Sequence, residues 1–182
     1  MRDKKILVPV SIVIIIILTL VICCFYFNDE LISTNSKDIE FSDNDFNRVL
    51  VHDFKSGYSV ESSLKITKAP IYDSSDYNIV VTFNNYRNND AYEIENLEIN
   101  IKPNSDVTLQ SVYFDDGVSS KSVFQFSNNI FNAKSKSDYL HLNIIVSNYY
   151  SDSIEFDIGY DIYGCGLYSI NKYKELGTCI FI

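Results

Sequence analysis

Two patterns of apolar and polar positions divide the chain. From Ile6 to Phe27 nearly every side chain is apolar, interrupted only by Ser11, Thr19 and the thiols of Cys23 and Cys24. As a helix rising 1.5 Å per residue, this run is about 33 Å long, enough to cross a hydrocarbon layer of ~30 Å. From about residue 60 onward the period becomes two. Val60, Ser62, Leu64 and Ile66 fall on one side of an extended strand, with Glu61, Ser63 and Lys65 on the other.

The same alternation recurs in Tyr77-Ile79-Val81-Phe83, in Leu97-Ile99-Ile101, and from Val107 and Leu109 towards Val112 and Phe114. It returns in Phe124 and Phe126, in Leu140-Leu142-Ile144-Val146, and in Ile154-Phe156-Ile158-Tyr160-Ile162, where Glu155, Asp157 and Asp161 face away. Turn-forming stretches separate these runs: Asp73 to Asp76, Asn84 to Asp90, Pro103 to Asp106, Asp115 to Gly117, Asn132 to Asp138 and Ser147 to Ser153. Short strands with one apolar face predict an all-β fold, a β-sandwich of about seven or eight strands. After residue 28 no segment carries the apolar period of a helix, which argues against a parallel βαβ sheet.

The apolar run is too long for a signal peptide and lacks a small-x-small cleavage site. It is expected to remain as a transmembrane signal anchor over residues 6–27. Arg2, Lys4 and Lys5 precede it while Asp29 and Glu30 follow it, so residues 1–5 form a cytoplasmic tail and the rest lies outside. Leu20-Val21-Ile22-Cys23 has the outline of a lipoprotein box, but the bulky Ile22 stands where a small residue belongs. Residues 28–47 are polar and acidic and read as a linker, leaving 48–182 as one extracytoplasmic domain.

One stretch adds a resemblance. Ile79 to Asn85 is a strand running into an Asn-rich turn; Asp90-Ala91, Leu97 to Pro103 and Val107-Thr108-Leu109 follow, and later Asn132 to Ser137 leads into Leu140 to Val146. In strand rhythm this resembles bacterial immunoglobulin-like surface modules of the cell-adhesion-related and conserved-repeat kind. The resemblance implies an immunoglobulin-like sandwich serving as a spacer or adhesive unit rather than an enzyme.

Composition narrows the function classes. A formal charge of -9 and a pI of about 4.6 leave no basic patch for a nucleic-acid backbone or an anionic lipid surface. No Asn heads an Asn-x-Ser/Thr acceptor, in keeping with a bacterial protein. Cys165 and Cys179 are the only thiols beyond the anchor, and in an oxidising exterior they are expected to form a disulfide closing a loop of about 15 residues. Without nearby His or further Cys they do not make a zinc site.

Catalytic chemistry has little to work with. His52 and His141 are the only histidines, His141 sits on the solvent side of its strand, and no Gly-x-Ser-x-Gly elbow accompanies them. Asp115-Asp116 and the acidic positions 155, 157 and 161 read as a turn and a solvated face rather than a calcium site. The tyrosines, including Tyr149, Tyr150, Tyr160 and Tyr173, read mainly as core aromatics. The Cys179-Ile180-Phe181-Ile182 ending has the form of a prenylation box but is more simply part of a docked final strand.

The expectation is therefore a membrane-anchored, non-enzymatic binding or structural module of the bacterial envelope. It needs no cofactor and no small-molecule substrate, and it meets another envelope protein. A small envelope hydrolase, or an accessory or sensor subunit of a membrane complex, is the alternative.

Overall fold

The computed structural model describes residues 4–26, 30–42, 44–72, 74–86, 92–116, 123–136, 139–163 and 170–181; side chains are described within these except at 4–8, 23–26, 40–42, 86, 123, 124 and 170. One helix, α1 (Lys4–Tyr26), is followed by eleven strands among the described residues. They are β1 (Leu31–Ser42), β2 (Asp45–Phe54), β3 (Ser59–Pro70), β4 (Tyr77–Tyr86), β5 (Glu93–Pro103), β6 (Thr108–Asp115), β7 (Val123–Ser127), β8 (Ile130–Ser135), β9 (Tyr139–Ser147), β10 (Ser153–Tyr163) and β11 (Ile170–Ile180).

The strands form two antiparallel sheets, a six-stranded one in the order β1-β2-β3-β4-β9-β6 and a five-stranded one in the order β11-β10-β5-β8-β7. Reading β3, β4, β5, β6, β9, β10 and β11 as strands A to G gives A-B-E-D in one sheet and G-F-C in the other. That is the strand order of an immunoglobulin constant-type sandwich. The β1–β2 hairpin widens the first sheet beyond strand A, and the β7–β8 hairpin widens the second beyond strand C.

The core forms where the alternating apolar sets of the two sheets meet. Leu64, Ile66, Ile79, Val81, Phe83, Leu140, Leu142 and Ile144 from one sheet, and Leu97, Ile99, Ile101, Phe131, Ile154, Ile158 and Ile162 from the other, have no solvent exposure. Aromatic contacts cross the interior: Phe83 meets Tyr160 at 5.3 Å between ring centres, and Phe46 meets Phe156 at 5.5 Å. Every strand with clear apolar alternation is where the sequence places it.

Several segments differ from the sequence reading, which placed no strand over β2 (Asp45–Phe54). Residues 28–47, expected as a linker, contain β1 and the start of β2; β1 pairs with β2 from Leu31↔Phe54 to Ser42↔Asp45. As an edge strand β1 needs no apolar face, and its polar side chains bond to β2, Ser33 to Asp53 at 3.0 Å and Thr34 to His52 at 2.9 Å. Asn132 to Asp138, expected as a turn, begins inside β8, whose inward positions are Phe131, Ala133 and Ser135. β11, expected only as a docked final strand at the Cys179 end, starts at Ile170; charged residues and Gly177 interrupt its apolar positions before Cys179.

The backbone of α1 runs for 23 residues with Pro9 near its start. Its side chains are described at 9–22, and among the described residues no helix is long and apolar enough to cross a membrane. Over that stretch the large apolar side chains from Val10 to Ile22 are 45–61% exposed, and no extensive contact joins α1 to either sheet among the described residues.

Candidate functional site

The interior holds a string of polar groups where β1–β3 cover β10 and β11. His52, on β2, has no solvent exposure; its Nδ1 meets Thr34 Oγ1 at 2.9 Å and its Nε2 meets the Tyr160 hydroxyl at 2.6 Å. Ser62 Oγ lies 3.2 Å from the same hydroxyl, and the Tyr173 ring stands edge-on to His52 at 4.7 Å. Burial pushes the His52 pKa down to about 4 and holds the Tyr160 and Tyr173 hydroxyls well above the usual phenol range. The string continues through Tyr173 to Glu175, to Arg48, and to Asp38, which accepts from Arg48 Nη2 at 2.8 Å. These bonds bind the β1–β2 hairpin to the opposite sheet.

At the end of the sandwich away from Leu31, Lys68 is buried on β3. Its ammonium stands over the rings of Tyr149, Tyr77 and Phe181 at 4.8, 5.5 and 5.7 Å, and donates to the Asp152 carboxylate at 2.9 Å and the Ser151 carbonyl at 3.2 Å. A cation over several rings with a carboxylate partner is a strong arrangement once desolvated. It ties β3 to the 147–153 connection and to the residue following β11. Tyr149 and Tyr160 are core aromatics as expected, whereas Tyr150 is 83% exposed.

The two outer faces differ in kind. On the five-stranded sheet, charges alternate in sign and pair with one another: Lys134 with Glu98 at 2.9 Å, Lys174 with Asp157 at 3.1 Å, Lys102 with Glu155 at 3.5 Å. Burial works against the Glu98 charge, but Lys134 and Asn132 hold its carboxyl below the usual range. Gly159 stands between Glu98 and Lys174 in register and floors a shallow depression of about 490 Å³.

The outer face of the six-stranded sheet carries no Asp, Glu, Lys or Arg over β4 and β9, and Lys65 on β3 stands beside Thr82 at the border of that stretch. Asn78, Val80 and Thr82 on β4 lie beside Ile145, Asn143 and His141 on β9, and Ser111 and Tyr113 on β6 continue the rows. His141 is half-buried there, with Nδ1 3.1 Å from Thr82 Oγ1 and Asp115 opposite it in register. At the β6 edge Tyr113 is 61% exposed and Val112, on the inward side, is 37% exposed, so β6 overhangs the second sheet.

The expected disulfide partners are Cys165 and Cys179, of which the structure describes one. Cys179 is a free, buried thiol whose Sγ donates to the Ile154 carbonyl at 3.3 Å, and burial pushes its pKa up to about 12. Cys165 lies outside the described residues. Among the described residues no group of three or more His, Cys, Asp or Glu side chains is placed to hold a metal ion.

The sequence matches no known protein family and no curated protein. Among solved structures the chain is similar to the GAE domain of yeast GGA1, with a TM-score of 0.36 and 12% identity over 80% of this chain and 97% of that one. It is similar too to the GAE domain of GGA2p from Saccharomyces cerevisiae, with a TM-score of 0.34 and 13% identity over 80% of this chain and 96% of that one. Likeness at this level carries no argument about function. The immunoglobulin-like architecture rests on the strand order itself.

Proposed function

We propose that the chain is a membrane-anchored binding or structural module of the bacterial cell envelope, α1 being the anchor and the sandwich standing outside. The observation that carries this reading is α1 itself. Its backbone of 23 residues is about 34 Å long, and its described apolar side chains face outward all round without packing on the sandwich. An isolated helix with no polar face is stable where the solvent is lipid. The basic residues before it favour a cytoplasmic N-terminus.

The finer relationship, to bacterial immunoglobulin-like surface modules, is part of the same proposal and rests on the strand rhythm together with the constant-type strand order. A hydrolytic role at His52 receives no support from a ring sealed between Thr34 and Tyr160. A protein partner is favoured over a small molecule because the depression over Gly159 is shallow and open, a poor enclosure for a small ligand.

The test is alkaline carbonate extraction of membranes combined with protease treatment of intact cells. The chain is expected to stay with the membrane pellet and to lose its sandwich to external protease. Recovery in the supernatant, or protection of the sandwich in intact cells with digestion only after lysis, would overturn the reading.

A further inference from the structure

We infer that the free edge of β6 is a docking site for an extended segment of a different protein, apolar at every second residue and basic overall, which joins the sheet as a further strand. This deepens the binding-module reading above and rests on its anchor for the choice between a foreign chain and a second copy.

A sheet edge presents unpaired N–H and C=O groups that another strand can complete, and folded proteins blunt such edges with charges, proline, bulges or short strands. Among the described residues the two sheets end in four edges, β1, β6, β11 and β7. Three are blunted. β1 carries Lys37 and Asp38, β11 carries Lys172, Lys174 and the inward Glu175, and β7 is only five residues long. β6 differs, with no charge, Pro or Gly from Thr108 to Phe114. Its register shift, between Leu109 and Ser111, lies at its start and leaves Ser111 to Asp115 in regular step with Ile145 to His141 of β9.

The core also stays open along this edge. β9 buries every second side chain, whereas β6, which pairs with it, buries none. Leu109, Val112 and Phe114 lie opposite Val146, Ile144 and Leu142, the inward series of β9, yet Val112 is 37% exposed. On the same side of the sandwich the other sheet ends in β7, and Asn129 in the β7–β8 turn donates to Asp106, just before β6, at 2.9 Å. There the half-buried Phe126 stacks on Phe131 at 4.6 Å. An added strand lays its inward side chains along the seam between Val112 and Phe126, so the seam takes apolar residues at alternate positions. Main-chain bonds to β6 supply the register.

Charge and orientation select the occupant. The chain carries a net charge of -9, and β4, β6, β7 and β9 contain no Lys or Arg, while Asp106 and Asp115 stand at the two ends of β6. That field attracts a basic segment and repels an acidic one. A second copy of the chain is itself acidic. Two β6 strands paired antiparallel about a two-fold axis would also point their Leu31 ends in opposite directions, which anchoring in one membrane forbids.

The experiment titrates the detergent-solubilised full-length chain with a fluorescent synthetic peptide of alternating Val and Thr with Lys at both ends. Saturable binding is expected, with amide exchange slowed on β6 and unchanged on β1 and β11. The same peptide with every peptide nitrogen methylated should not bind, and the version with Glu at both ends should bind more weakly. Val112→Lys, which gives β6 the inward charge that blunts other edges, should weaken binding at least about tenfold, while Ser36→Lys on β1 leaves it unchanged. Retained protection of the Cys179 thiol from maleimide checks that both variants are folded.

No saturable binding, undiminished binding of the methylated or Glu-ended peptide, protection on β1 or β11 instead, or full affinity in Val112→Lys overturns the inference. So does protection of β6 in the chain alone that fades on dilution, which would mean that a second copy fills the edge. Carbonate extraction separates the two readings. A chain that pellets but binds no peptide keeps its anchor and loses the docking edge, whereas one that binds yet is released by carbonate loses the anchor.

Discussion

His52 is held neutral by burial at a pKa of about 4, against 6.5 for an ordinary histidine. Between those values the unfolded chain binds a proton that the folded chain refuses, so stability is full above about pH 6.5 and falls as the pH drops towards about 4. The difference corresponds to roughly 3 kcal/mol. Urea midpoints measured across that window should fall with acidification in the natural chain and stay nearly level in His52→Gln; parallel curves would show that another group titrates. Gly177 makes a second prediction. A Cβ there would lie 2.3 Å from Phe156 Cζ and 2.9 Å from Arg48 Nη1. Gly177→Ala should therefore cost about 1–3 kcal/mol by overpacking, and an unchanged melting temperature would mean that the ring and guanidinium move aside freely. The role of His141 on an outward strand position was legible from its apolar neighbours. That of His52 was not, since its partners Thr34 and Tyr160 are 18 and 108 residues away.

At the scale of strands, apolar alternation was enough to find β3 to β7, β9 and β10, most clearly β3, β4, β5, β9 and β10, each of which buries one face against the opposite sheet. It failed for β1, whose register is fixed by hydrogen bonds to β2 rather than by apolar burial, and for β11, where inward Glu175 and Gly177 stand among Tyr173 and Cys179. The uncharged stretch of outer face over β4 and β9 escaped for a related reason: it is assembled from two strands that only the sheet order brings together. β4 also contains a misfit. Asn85 continues the inward series of Ile79, Val81 and Phe83, opposite Ser62, yet among the described residues neither its amide nitrogen nor its oxygen has a hydrogen-bond partner. Unsatisfied buried polar groups cost on the order of 1–3 kcal/mol. Asn85→Leu is thus expected to raise the urea midpoint, and a lowered midpoint would reveal a partner for the amide in solution.

For the molecule as a whole, closure of the sandwich is reported by Cys179. Enclosed between the sheets, its thiol should resist maleimide in the natural chain without prior reduction and react in step with global unfolding in denaturant; rapid labelling under native conditions would show that β11 detaches on its own. Lys68→Met removes the ammonium beneath three rings and leaves Asp152 without its cation, so the 147–153 connection and the end of β11 should exchange amide hydrogens faster while the strand centres keep their protection. The strand order has one further consequence, a mechanical one. The helix joins the sandwich through β1, and β1 lies along its neighbour from Leu31 to Ser42. A tug on the helix directed along the strands, with the far end held, loads that whole ladder in shear, so its bonds share the force. A sideways tug peels them one after another, and the hairpin becomes the first part to yield.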